Sequence, residues 1–166
     1  SVSESSNSQL NATATLDDAT ILVLPGSKVN WAAPAYPIAS ISAGGLMTPA
    51  SVYTDTKGTV SGYYLGASNS TSLLVLDTNP DNFGIYASDG IQDAWQVQYF
   101  GVNNPSGAAT ADPDGDGLNN VAEFVAGTVP SNSVSGLRIT AVTRQGNDIR
   151  VTWTSVGGKS YALQHT

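Results

Sequence analysis

Twelve residues constrain this chain more than any others. The stretch DPDGDGLNNVAE, Asp112 to Glu123, sets three aspartates on alternate positions with Gly115 and Gly117 threaded among them, and it closes on a glutamate. Four carboxylates so close in sequence repel one another unless they are spread over a solvated face or gathered around a cation. The backbone must also turn sharply here, because glycine enters left-handed conformations without steric cost.

The order of the side chains favours the cation. Counting Asp112 as position 1 puts Asp114 at 3, Asp116 at 5, Gly117 at 6, the Leu118 carbonyl at 7, Asn120 at 9 and Glu123 at 12, the ligand order of a calcium loop. Ca2+ takes roughly six to eight hard oxygen ligands, so the chain has to curl around it, with Gly117 permitting the turn. Glu123 then reaches back from a helix to close the shell. The expected metal ligands are therefore Asp112, Asp114, Asp116, Leu118, Asn120 and Glu123. Mg2+ fits less well because it prefers a smaller octahedron that keeps waters, and transition metals favour His or Cys. The plainer alternative is an Asp/Gly turn that caps the following helix.

Charge elsewhere points the same way. Residues 58–137 carry eight acids and no Lys or Arg, whereas residues 138–166 carry one acid and four bases, and the formal charge is −7. Phosphate recognition needs clustered bases, so nucleic acid is not an expected partner. Cysteine is absent and histidine occurs once, at His165, which removes disulfides, thiol chemistry and zinc clusters. His165 reads as a solvated terminal side chain. An enzyme is not expected, since the clustered acids are committed to the loop and no nucleophile accompanies Tyr161 or His165. No run approaches the roughly 18 apolar residues of a membrane span. The opening SVSESSNSQL has neither an initiator methionine nor a leader pattern, and residues 1–9 read as an extended polar arm of a processed, extracellular or cell-surface chain.

On these residues the loop resembles the EF-hand-like loops of dockerins, thrombospondin type 3 repeats and related bacterial calcium modules, which often pair two loops. A partial upstream loop lies within NPDNFGIYASDGIQDAWQVQYFG. Aligning Asp89 and Gly90 with positions 5 and 6 puts Asp93 at 9 and Gln96 at 12, but Ile85 and Ala87 fall where carboxylates belong, so a weak or empty site is expected. Asp89 and Asp93 either cap the next helix or, for Asp93, lend an oxygen to the downstream ion. Two short helices follow the two loops: IQDAWQVQYF, ending at Gly101, and LNNVAEFVAG, ending at Gly127. Their aromatic faces, with Trp95 and Phe124, are expected to pack together.

Residues 10–77 are of another kind. Short alternating runs, ATILVL, KVNWAA, IASISA, SVYTDT, GTVSGYYLG and TSLLVLD, are separated by turn residues and predict an antiparallel sandwich. The order V-N-W, then IASISAGGLMTP, then GTVSGYYLG and LLVLD resembles the bacterial group 2 immunoglobulin-like domain. That resemblance implies an extracellular stalk or adhesion module without an active site. Of two sequons, Asn11 to Thr13 and Asn69 to Thr71, the second falls at an expected hairpin tip that can carry a glycan.

The end of the chain reads as three strands, LRITAVTR, IRVTWTSV and YALQHT, turning at QGND and GGKS. They resemble the start of a fibronectin type III-like sandwich. Three strands cannot close a sandwich, so Ile139, Val142, Val151, Trp153 and Tyr161 need cover. The cover comes from the immunoglobulin-like region, from a neighbouring subunit, or from chain beyond this sequence.

The expected organisation is mainly β: an arm (1–9), an immunoglobulin-like sandwich (10–77), a two-helix calcium module (78–136) and a partial β-sandwich (137–166). The expected function is a calcium-stabilised subunit of a surface filament, assembled head-to-tail with other copies of itself by strand complementation. The alternative is a non-catalytic accessory or docking module of a larger secreted protein.

Overall fold

A computed structural model describes residues 1–162. The protein is mainly β, and it divides into two compact units, Ser1–Phe83 and Gly84 onward. The boundary expected after residue 77 lies inside the first unit, and the segment expected as a separate domain from residue 137 shares the second.

The first unit contains nine strands: β1 (Val2–Ser3), β2 (Ser8–Gln9), β3 (Ala12–Thr15), β4 (Ile21–Leu24), β5 (Asn30–Trp31), β6 (Ile38–Ile41), β7 (Leu46–Pro49), β8 (Thr56–Tyr64) and β9 (Ala67–Leu76). One sheet has the order β1-β9-β8-β5 and a second the order β2-β7-β6, while β3 and β4 form a separate hairpin. The frame is the long β8–β9 hairpin, registered from Thr56 opposite Val75 to Tyr64 opposite Ala67. Its turn residues Leu65 and Gly66 both have positive φ, 47° and 86°, the backbone that matches the twist of a two-residue hairpin.

Alternation places the core. Ile38 from β6, Met47 from β7 and Val60 from β8 form one buried cluster, joined by Val2, Leu10, Trp31, Ile41 and Leu73. Both sheets thus share one apolar interior. Gly62 is required where β8 passes Trp31, because a β-carbon there would stand 2.8 Å from Val29 Cγ1 and 3.3 Å from the indole.

Two sequence expectations differ here. SVYTDT does not form a strand of its own: β8 begins only at its last residue, Thr56. Residues 1–9 are folded in rather than free. β1 pairs parallel with β9, β2 pairs with β7, and the buried Glu4 carboxylate accepts from the backbone N–H groups of Val52 (2.9 Å), Thr78 (3.0 Å) and Asn79 (2.9 Å). A polar segment was drawn into the fold by backbone pairing and one charged side chain, which leave no periodic hydrophobic signal.

In the second unit, α1 (Asp93–Phe100) and α2 (Asn120–Ala126) are followed by a hairpin, β10 (Ile139–Gln145) with β11 (Asp148–Trp153). Trp95 meets Phe124 edge to face, with centroids 5.5 Å apart, as the apolar faces of the two helices required. The QGND turn forms as expected, Gln145 pairing with Asp148. Tyr161 and Ala162 are not in a strand, and the rest of YALQHT, with His165, lies outside the described residues. Ile139, Val142 and Ile149 are each more than 60% exposed on the hairpin. Among the described residues no helix is long and apolar enough to cross a membrane.

Candidate metal centre

The aspartate loop runs from Asp112 into α2, and its carboxylates fold back on its own backbone. Asp112 accepts from Gly115 N (2.9 Å) and Gly117 N (3.0 Å), Asp114 from Asp116 N (3.2 Å), and Asp116 from Leu118 N (2.9 Å). Gly115 and Gly117 supply the turns, at φ 74° and 94°, which other residues enter only under strain. One oxygen from each aspartate then lies within 4.8 Å of the other two.

Glu123 stands behind this group. It is completely buried, and neither carboxylate oxygen has a hydrogen-bond partner among the described residues. Burial, then the fields of Asp114, Asp116 and Asp112, push its pKa up to about 7, with the nearby Thr128 hydroxyl opposing the rise. Asp114 Oδ2 is likewise buried without a partner. A buried acid in the field of three others is costly unless protonated or matched by a positive charge. Three aspartates in mutual reach could hold a hard divalent cation, and Glu123 lies outside that reach.

The remaining expected ligands are placed less simply. Leu118 is half-buried at the loop exit, with its N–H committed to Asp116. Asn120 is fully buried, and its Nδ2 donates to the Ser106 and Ala108 carbonyls at 2.8 Å each. That leaves Oδ1, which has no partner among the described residues, as the side-chain atom it can offer. The helix cap comes from Asn119, which accepts from Ala122 N at 3.0 Å. The three aspartates therefore do not act as the cap of α2.

In the upstream segment the carboxylate of Asp89 meets donors. Asp89 accepts from Ile91 N (3.0 Å), Ala109 N (3.3 Å) and Gln96 Nε2 (2.7 Å). Gln96 is fully buried and also donates to the Gly107 carbonyl at 2.8 Å. An amide N–H stands where the downstream helix has an acid. Asp93 is fully buried in the first turn of α1.

One participant was missed by reading the sequence locally. Arg138 Nη2 lies 3.5 Å from Asp116 Oδ2, and the Asp116 side chain is only 1% exposed. The available signal was that Arg138 is the first basic residue after Lys57. No family model, curated protein or solved structure matches this chain.

Proposed function

We propose that this protein is a non-catalytic, calcium-stabilised structural module of the extracellular space or cell surface, and that it forms a filament by head-to-tail strand complementation. The observation that carries the calcium reading is Glu123: a fully buried carboxylate, with only the Thr128 hydroxyl near it among the described residues, in the field of Asp112, Asp114 and Asp116. In this reading Asp112, Asp114, Asp116, Asn120 Oδ1 and Glu123 hold the ion together with the Leu118 carbonyl, and Ca2+ supplies cross-linking of loop to helix rather than chemistry.

The shared core of two sheets in the first unit supports an immunoglobulin-like sandwich. The assembly reading is supported by hairpin β10–β11, a two-stranded sheet with exposed Ile139, Val142 and Ile149. Two strands alone are marginal in water, and open edges invite a further strand. Because residues 1–9 are already paired, the exchange falls to this hairpin. Asn69 lies within β9, opposite Gly62 and not at the expected hairpin tip, which is Leu65–Gly66, but it is exposed, and a glycan there is compatible with the same setting.

The division into two compact units also suits a second reading, an accessory or docking module within a longer secreted protein. Calorimetric titration of chelator-treated protein tests the metal: the expected result is calcium binding, and a flat titration at millimolar calcium removes the site. Electron microscopy with and without EDTA separates the two readings. Calcium-dependent filaments support the first, and dispersed particles at all calcium concentrations support the second.

A further inference from the structure

The third aspartate of the loop is held from outside the loop. Asp116 Oδ1 accepts from Leu118 N, and Oδ2 faces Arg138. Arg138 also donates to the Ser133 carbonyl. Its backbone is fixed by Thr154, just past β11: Arg138 N donates to Thr154 Oγ1 (2.8 Å), Thr154 N donates to the Arg138 carbonyl (2.8 Å), and the Thr154 hydroxyl donates to the Gly136 carbonyl (2.7 Å). Gly136 is pressed against the loop, since a β-carbon there would stand 2.6 Å from Asp116 Oδ2.

The far side of the hairpin grips the other end of the same apparatus. Lys159 Nζ donates to the Val125 carbonyl (3.0 Å) and the Tyr161 hydroxyl to the Ala126 carbonyl (3.3 Å). These are last-turn carbonyls of α2, where a cation and added donors are favourable, and α2 carries Glu123. The segments on both sides of β10–β11 are therefore attached to the loop and to the helix that together form the candidate site.

We propose that Arg138 is a positioning residue for the calcium site, and that through it calcium occupancy and docking of hairpin β10–β11 stabilise each other. The inference rests on the calcium reading above. Leu118 N on Oδ1 and the Arg138 guanidinium on Oδ2 together hold the Asp116 carboxylate in its observed orientation, as outer-shell partners do for metal ligands generally. The pair's own energy is small because Arg138 is half exposed and screened, so the contribution is geometric. An ion that fixes Asp116 in turn fixes the Arg138 strap and the Thr154 clamp. By linkage, whatever calcium gives to hairpin docking, docking returns to calcium affinity.

The test uses the full chain stripped with chelator and titrated with calcium chloride, read by calorimetry and by hydrogen exchange of the β10–β11 amides. Wild type should bind calcium and gain hairpin protection on binding. Arg138→Gln should bind about tenfold more weakly, and its hairpin exchange should become insensitive to calcium. Arg138→Lys should restore part of both, and Thr154→Val should reproduce the glutamine variant without changing charge. Unaltered exchange of the α1 amides certifies that the second unit of each variant is folded. An Arg138→Gln protein with wild-type affinity and wild-type hairpin response overturns the inference while leaving the calcium site standing. A wild-type protein that takes up no calcium overturns both.

Discussion

Gln96 Nε2 sits 2.7 Å from an Asp89 carboxylate oxygen, whereas Glu123, the corresponding residue of the second helix, is a buried acid with only the Thr128 hydroxyl near it among the described residues. The two loops differ at the twelfth position: an amide paired to an aspartate in one, a buried acid in the field of three aspartates in the other. Gln96→Glu should therefore place two carboxylates in contact and destabilise the second unit by about 3 kcal/mol in calcium-free buffer. Urea denaturation followed by Trp95 fluorescence checks it.

Glu123→Gln should act in two directions at once. Calcium affinity should fall by about a hundredfold, because the residue that closes the shell loses its charge and its bidentate capacity. Calcium-free stability at pH 8 should rise by about 1 kcal/mol, because an uncompensated buried charge is gone. Calorimetry and denaturation on the same preparation measure both, and a loss of stability without calcium would show that Glu123 is only packing.

The same residue sets a pH dependence. With its folded pKa raised from 4.5 to about 7, Glu123 binds more protons folded than unfolded in the interval between. Calcium-free stability is then highest below about pH 4.5 and is lost as pH rises through about 7. Calcium needs the carboxylate, so its affinity should climb with pH and level off above about 7, with proton release on binding below that. Melting curves at pH 5 and pH 8, with calcium and with EDTA, should show opposite slopes.

Glu4→Ala should cost the first unit about 3 kcal/mol. Its buried carboxylate accepts three backbone N–H groups, from Val52, Thr78 and Asn79, and hydrogen bonds to a charged group are the stronger kind. Hydrogen exchange should show the loss across β1 and the end of β9, leaving the amides of α2 unchanged.

Replacing Ile139 and Ile149, both exposed on the hairpin at 63% and 64%, with lysine should abolish filament growth while leaving calcium affinity within twofold. Light scattering against calcium concentration follows this directly. Unchanged assembly would move the contact elsewhere on the molecule.

The aspartate loop was legible because a loop of twelve residues is a local object: its carboxylates, its glycines and its helix follow one another in the chain. The β8–β9 and β10–β11 hairpins were legible for the same reason, each announced by alternation and a turn. What escaped was non-local. Glu4 reaches Thr78 across the whole first unit, Arg138 finds Asp116 from beyond α2, and the Asn120 amide turns toward the 106–108 carbonyls instead of lying wholly in the loop. None of these contacts leaves a spacing in the sequence, because each is decided by which surfaces meet after the strands and helices have formed. The mainly β character was visible throughout.

The parallel pairing of β1 with β9, Val2 opposite Val75 and Ser3 opposite Leu76, has a mechanical consequence. Traction entering at the first residues and leaving through the segment after β9 slides these two strands past each other. Their backbone bonds, and the grip of Glu4 on Thr78 and Asn79, must then rupture together rather than one by one. A pull along this direction therefore loads the Val2–Val75 and Ser3–Leu76 pairing and the Glu4 contacts at once.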